Sequence, residues 1–422
     1  MHVFKFGGAS VKDADGIINI GSILTKHPDK KILIVVSAMD KTTNALEKLT
    51  QHYVQQQPDT TQVLQDVKNF HYNVINELFQ DKQHPVYDQV ANLFVEIEWI
   101  LEDTPVEAYD YLYDQIVSVG ELLSSTIISQ YLNTIGLQNR WLDARSYILT
   151  DNTYREAKVD WASTELLIAR DIPPILSSQM VVTQGFIGCT SENFTTTLGR
   201  DGSDYSAAIF AACLPANDIT IWKDVPGVLN ADPKWFDETQ LIPELSYLDA
   251  IELAYYGANI IHPKTIKPLQ NKHITLYVKS FLDSENSGTR IRTTQETLPV
   301  PSFIFKVNQV LISILPKDFS FIVEDNLSDI FNRFHRYRVK INMMHNSAVS
   351  FSVSVDDTGS NINELLADLQ ERYTVQQQQG LELITIRYYN NQTIARVLVD
   401  KEIIMELKDS YTCQLLVKKR EK

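Results

Sequence analysis

The sequence predicts an α/β protein with a largely parallel sheet sandwiched by helices, followed by an α+β region of ferredoxin-like type. Three observations carry this reading. KKILIVVSAM (Lys30–Met39) holds an unbroken apolar run, the pattern of a parallel strand covered on both faces. Between residues 173 and 281, strand-like runs alternate with helical ones, as layered α/β proteins require. Beyond Ser302 the order becomes β-α-β-β-α-β, the ferredoxin-like unit.

In chain order, HVFKFGG reads as a strand running into a glycine turn, and Asp13–Leu24 as a helix. From Thr43 to about Ile135 the apolar residues fall at helical spacing, with breaks expected near Pro58, Pro85 and Pro105. PPILSS (Pro173–Ser178), VVTQGFIG (Val181–Gly188), DITIWKDV (Asp218–Val225) and ITLYVKSF (Ile274–Phe281) read as strands. Ser203–Cys213 and Tyr247–Tyr256 read as helices. The polar run Asp283–Ser302 reads as a boundary, dividing the chain into 1–292 and 302–422.

In the second part, Phe303–Pro316 is strand-like and Asn326–Tyr337 helical, with Asn326 or Asp325 as cap. KINMMH and AVSFSVSVD alternate as strands, Asn361–Arg372 is helical, and LELITIRYY is a strand. In Asn391–Lys422, TIARVLVD and TCQLLVKK look like strands, with Ile403–Leu407 as a brief helical stretch between them. That last segment is short for a complete second unit.

Length and charge bound the function. At roughly 150 residues per domain, 422 residues suggest two or three domains. The net charge of −15, from 38 Lys+Arg against 53 Asp+Glu, argues against a nucleic-acid partner. An anionic substrate must therefore be met by locally concentrated positive charge. Cys189, Cys213 and Cys413 lack CxxC spacing, so they read as buried thiols, with no disulfide framework and no protein metal site. No run approaches the ~20 apolar residues of a membrane span, and the N-terminus lacks a signal-peptide run. A cytoplasmic protein without a membrane partner is expected.

Several short motifs can carry chemistry. Lys5-Phe6-Gly7-Gly8 ends a strand and precedes Ser10 and a helix. Glycines let backbone approach a ligand, a helix start offers free N–H groups to an anion, and lysine adds a mobile charge. The same residues also read as a tight turn. In LGRDGSDYSAA (Leu198–Ala208), Arg200 offers a fork for a carboxylate and Asp204 an acceptor for an ammonium. Ser203 or Asp204 reads equally as a helix N-cap. Glu121 in SVGELLS suits the first turn of a helix. The loop IWKDVPGVLNADPK (Ile221–Lys234) follows a buried strand, where ligands of α/β sheets gather. His262, before Pro263, reads as structural.

Taken together, KFGGASV, VVSAMDKTTNAL, SVGELLS, QGFIG with GRDGSDYSAA, WKDVPGVLNADP and ELAYYGANIIHPKTIKP resemble the aspartate kinases, of the amino-acid-kinase superfamily, in motif and order. The resemblance covers residues 1 to about 292, and more weakly the tail, which is similar to ACT regulatory modules. It implies an amino-acid-kinase catalytic domain over 1–292 and an ACT-like regulatory and dimerisation region over 302–422. It also implies transfer of the ATP γ-phosphoryl group to the side-chain carboxylate of L-aspartate, with Mg²⁺. On that basis Lys5, Arg200 and Asp204 are the expected catalytic residues. Thr43, Glu121, Arg200, Ser203 and Asp204 are expected to bind aspartate. Lys5, Gly7, Gly8, Ser10, Trp222, Lys223, Asp224 and Lys234 are expected around the nucleotide. Asn342 and Ser347 fall in the stretch that matches the effector site for lysine or threonine, and a homodimer through the ACT-like region is implied.

The chain departs from the family pattern at Ala9 (threonine is usual), Asp201 (glycine), Leu229 (an aromatic), Lys234 (arginine) and Asn259 (lysine). The last three soften nucleotide recognition, so a weak KM for ATP or an altered nucleotide preference is expected. Two alternatives compete with an active aspartate kinase. One is a kinase for glutamate, acetylglutamate or carbamate; the other is a catalytically weak amino-acid sensor. With no GxGxxG and no room for a fused dehydrogenase, the chain reads as monofunctional.

Overall fold

A computed structural model describes residues 1–28, 31–236, 238–258, 261–294, 300–318, 320–357 and 359–420. The chain divides into two compact units. The first comprises Met1–Val228, Leu241–Ile251 and Ile260–Thr297; the second comprises Leu229–Gln240, Glu252–Asn259 and Leu298–Lys422.

The first unit opens with β1 (His2–Phe6), α1 (Ala14–Thr25) and β2 (Ile32–Val36). Asp13 caps α1 by accepting from the Gly16 N–H at 2.8 Å. A helical block follows: α2 (Thr42–Val54), α3 (Thr60–Leu78), α4 (Val86–Glu102), α5 (Tyr109–Val117) and α6 (Val119–Thr134). Its breaks fall beside Pro58, Pro85 and Pro105, because proline lacks the N–H a continuing helix needs. Then come β3 (Asn139–Trp141), α7 (Trp161–Leu176), β4 (Met180–Gln184), β5 (Ile187–Cys189), β6 (Thr195–Thr197), α8 (Gly202–Cys213) and β7 (Asp218–Lys223). Next come β8 (Glu244–Ser246), α9 (Tyr247–Tyr256), whose residues from Glu252 on are counted with the second unit, α10 (Pro263–Asn271), β9 (Thr275–Ser280) and β10 (Thr289–Arg292).

Eight strands form one sheet in the order β3-β4-β2-β1-β7-β9-β10-β8. All neighbours are parallel except β9 and β10. Every residue of β2 is buried, as its uninterrupted apolar sequence requires. Phe6, Val36, Ile127 and Val182 join the helical block in one hydrophobic core.

The second unit contains β11 (Ser302–Pro316), α11 (Glu324–Arg336), β12 (Ile341–Asn346), β13 (Phe351–Asp356), α12 (Ser360–Arg372), β14 (Tyr373–Arg387), α13 (Asn391–Val397), β15 (Lys401–Lys408) and β16 (Thr412–Lys419). Its antiparallel sheet runs β12-β13-β11-β14-β16-β15. The first four strands stand in the ferredoxin-like order. The same order recurs as β15-β16-β14-β11, so the leading half of β11 supplies a fourth strand to the terminal segment. Both β11 and β14 span 15 residues, and their pairing is irregular between Lys306 and Leu311.

Several elements differ from the sequence expectation. Pro173–Ser178 is not a strand: α7 runs through Pro173 and Pro174 to Leu176. The Asp160 cap starts that helix, and Thr164, Ile168, Ile172 and Leu176 bury one stripe at four-residue spacing. TIARVLVD is mostly helix, set by Asn390, whose side chain accepts from the Thr393 N–H at 2.9 Å. Ile403–Leu407 is strand, within β15. Residue Val323, not Asn326 or Asp325, takes the N-cap position of α11; the Asn326 amide oxygen accepts from its N–H at 3.2 Å. The polar run after Asp283 contains β10, so the first sheet continues into it. Cys189, Cys213 and Cys413 are buried free thiols. Among the described residues no helix is long and apolar enough to cross a membrane.

Candidate active site

The parallel strands of the first unit point their carboxyl ends the same way, and the chemistry-bearing residues gather there. Lys5 lies one residue before the end of β1, and Lys223 ends β7, with Lys5 in register beside Ile221. Ala38 follows β2, and Gly185 follows β4. A Cβ on Gly185 would stand 2.5 Å from Ser203 Cβ, so glycine lets the start of α8 press against the β4 loop.

At this end lies a buried charged cluster. Lys5 Nζ stands 2.6 Å from Asp204 Oδ1, and Lys223 Nζ stands 3.8 Å from Asp204 Oδ2. Lys5 is 8% exposed and Asp204 4%. Burial alone would raise the Asp204 carboxyl, but Lys5 and Lys223 outweigh it and hold the group below the usual carboxylate range. Glu121, in the first turn of α6, is 2% exposed. Its Oε1 accepts from the Ala38 N–H at 3.2 Å, while Oε2 is buried without a hydrogen-bond partner among the described residues. Burial pushes the Glu121 carboxyl up to about 8, against the pull of the Ala38 N–H and the Lys5 charge. An unsatisfied buried oxygen of this kind suits an incoming cationic donor.

The glycine turn stands beside Lys5. Ser10 N–H donates to the Gly7 carbonyl at 2.9 Å, and Asp40 N–H to the Gly8 carbonyl at 3.2 Å. Gly7 and Gly8 are half-buried and Ser10 buried; Thr43, in the first turn of α2, and Ser203 are also half-buried. The structure thus brings Lys5, Glu121, Asp204 and Lys223 together.

Other expected residues fall elsewhere. Arg200 is not drawn into the cluster: its side chain is 81% exposed, with Nε 3.8 Å from Asp201 Oδ2. Trp222 is a core residue: it lies within β7, which is buried on both faces, in register with Phe6. Its ring stacks on Phe6 at 6.1 Å and meets Phe4 edge-on at 5.7 Å. Asp224 is exposed. His262 caps α10, its Nδ1 accepting from the Lys264 N–H at 3.1 Å. Asn259 lies outside the described residues.

In the second unit, Leu229 is half-buried and Lys234 exposed, with its N–H donating to Asp232 Oδ1 at 2.9 Å. Both ends of the Asn342 amide are engaged. Its Oδ1 accepts from Lys306 Nζ at 2.6 Å, and its Nδ2 donates to Gln309 Oε1 at 3.0 Å. Ser347 exchanges hydrogen bonds with Ser350 in the β12–β13 turn.

One buried group had no local signal in the sequence. Asp114 in α5 is fully buried and accepts three hydrogen bonds, from the Arg155 N–H, the Thr197 N–H and the Thr197 hydroxyl.

The chain is similar to several known proteins. Lysine-sensitive aspartokinase 3 of Escherichia coli (strain K12) is 29% identical over 91% of this chain and 86% of its own length. A bifunctional aspartokinase/homoserine dehydrogenase 2 of Arabidopsis thaliana is 28% identical over 90% of this chain, which spans 42% of that protein. The crystal structure of E. coli aspartokinase III with aspartate and ADP matches with a TM-score of 0.83 and 28% identity, over 99% of this chain and 96% of that one. The same protein with lysine and aspartate matches equally. The model of the Amino acid kinase family matches residues 1–280. That span takes in the glycine turn, the buried Lys5–Asp204 pair and most of the parallel sheet, and the chain belongs to the amino acid kinase family.

Proposed function

We propose that this chain is an aspartate kinase, which transfers the γ-phosphoryl group of ATP to the side-chain carboxylate of L-aspartate and yields 4-phospho-L-aspartate. The product is the first intermediate of lysine, threonine and methionine synthesis. The observation that carries the reading is the buried group of Lys5, Asp204, Lys223 and Glu121 at the carboxyl ends of the parallel strands.

The chemistry needs little more than placement and positive charge. An aspartate side chain, with a reference pKa of about 3.9, is already ionised at neutral pH, so no general base is needed. Lys5 and Lys223 place two ammonium groups where phosphoryl charge is to be met, and Asp204 keeps both oriented. The free oxygen of Glu121 receives the substrate α-ammonium. Arg200, exposed before substrate binds, closes on the α-carboxylate, with Thr43 and Ser203 beside it. The turn at Gly7, Gly8 and Ser10 accommodates phosphates, with Asp224 and the backbone at Trp222 on the nucleotide side.

Mg²⁺, when bound with ATP, would offset phosphate charge beside Lys5 and Lys223. Among the described residues no three His, Cys, Asp or Glu side chains converge on a metal site. We also read the second unit as a regulatory and dimerisation region. There Lys306 already occupies Asn342 Oδ1, so a free lysine ammonium must compete with an internal one for that oxygen.

The test is a hydroxamate assay with MgATP and aspartate, glutamate, acetylglutamate or carbamate in turn. Activity with aspartate alone is expected. Activity only with another acid assigns a different kinase, and none with any acid leaves a sensor.

A further inference from the structure

Asp114 is a buried carboxylate that the chemistry above does not use. It lies on α5, and its Oδ2 accepts from two backbone N–H groups, Arg155 at 3.0 Å and Thr197 at 2.8 Å. Its Oδ1 accepts from Thr197 Oγ1 at 2.7 Å. Burial pushes the carboxyl up to about 6, and these three donors oppose that rise. A carboxylate so enclosed is costly unless it organises its surroundings.

What it organises is the approach to the substrate loop. Thr197 ends β6, and the next residues, Leu198 to Asp204, carry Arg200, Ser203 and Asp204. Arg155 belongs to the segment beneath that loop. It holds a left-handed φ of 69°, and its guanidinium lies 4.3 Å from the Tyr113 ring centroid. The Ala157 N–H donates to the Thr197 carbonyl at 3.0 Å, and a Cβ on Gly199, whose φ is 76°, would stand 3.1 Å from the Arg155 carbonyl. One carboxylate therefore ties together the two backbone segments that bracket Gly199. On the other side, the Ser118 N–H donates to the Asp114 carbonyl, and the Glu121 N–H donates to the Ser118 carbonyl.

We propose that Asp114 is a positioning residue, which fixes the loop carrying Arg200 and Asp204 in register with the helix junction carrying Glu121. It touches no reacting atom and acts through Thr197 and Arg155. The inference rests on the aspartate-kinase reading, because the two sides it joins are those assigned to the α-ammonium and the α-carboxylate of the substrate.

Steady-state kinetics of Asp114→Ala, Asp114→Asn and Thr197→Val, with thermal melting of each, tests this. Asp114→Ala should raise the KM for aspartate about tenfold while the KM for ATP changes less than about twofold. Asp114→Asn should return it to within about threefold, since the amide oxygen can accept both N–H groups while its NH2 donates to the Thr197 hydroxyl. A melting loss with both KM values unchanged, or both rising together, overturns the proposal. Should Asp114→Ala fail to fold, Thr197→Val with an unchanged KM for aspartate overturns it equally. Wild-type protein inactive on aspartate refutes the functional reading instead, and that is visible before any variant is made.

Discussion

Lys5 and Asp204 form a buried ion pair at 2.6 Å, joining the first strand to the first turn of α8. Asp204 also faces Lys223 at 3.8 Å, so a single carboxylate is shared by two ammonium groups and the trio keeps one net positive charge. A pair this buried loses much when one partner is removed, because the other charge is left uncompensated.

Lys5→Ala is therefore expected to lower kcat by about 100- to 1,000-fold, the range for losing one charge-stabilising donor. The KM for ATP should change much less, since glycine-turn contacts to the phosphates remain. Steady-state kinetics over both substrates checks this, and near-normal kcat would remove Lys5 from its role.

Glu121→Gln separates binding from ionisation. In the free protein the carboxyl titrates near 8, so a growing fraction is charged as pH rises from 7 to 9. Aspartate affinity of the wild type should rise over that window, and the Gln variant should bind weakly with no such rise. Stability moves the opposite way. Unfolded, the group ionises near its ordinary value of 4.5, so the unfolded state holds fewer protons between there and 8, and stability falls as pH rises. Glu121→Gln should abolish that part of the melting-temperature slope.

Asp201→Gly addresses a backbone cost. Asp201 precedes α8 in the left-handed region with φ 54° and makes no side-chain cap bond. Glycine adopts that conformation freely, so the substitution should stabilise by about 1 kcal/mol or less in denaturant titration. It also removes the carboxylate 3.8 Å from Arg200, so the KM for aspartate should fall. A higher KM would show that Asp201 assists binding.

His71 offers a control far from catalysis. It is fully buried in α3, with Nδ1 against the Val67 carbonyl and Nε2 without a partner among the described residues. Burial lowers it to about 4 from an ordinary 6.5. The unfolded state binds the extra proton first, so stability contributed by neutral His71 is lost as pH falls from 6.5 through 4. His71→Leu should flatten this decline and remove the unsatisfied nitrogen, gaining about 1 kcal/mol at pH 7. Unfolding curves between pH 4 and 8 decide it.

Much of the sheet and site could be read from local sequence, and the failures have physical causes. Lys5, Glu121 and Asp204 sit in short motifs whose residue types announce charge beside glycine. Trp222 is expected around the nucleotide from its place in WKDVPGVLNADP, yet it lies within β7, covered on both faces, with its ring stacked on Phe6. PPILSS (Pro173–Ser178) reads as a strand, but the buried stripe from Thr164 to Leu176 carries α7 through both prolines. Asp114 was invisible because its partners, at residues 155 and 197, are remote in sequence and two of its three bonds come from backbone N–H groups.

The 15-residue strands β11 and β14 each serve two ferredoxin-like halves. These halves are consequently not separable modules. Deleting β15 and β16 would bare the edge of β14 from Leu381 to Arg387, a row of unpaired backbone groups ready to recruit another chain. Truncation near residue 390 should therefore give self-association rather than a smaller soluble module, and the two halves should melt in one cooperative step.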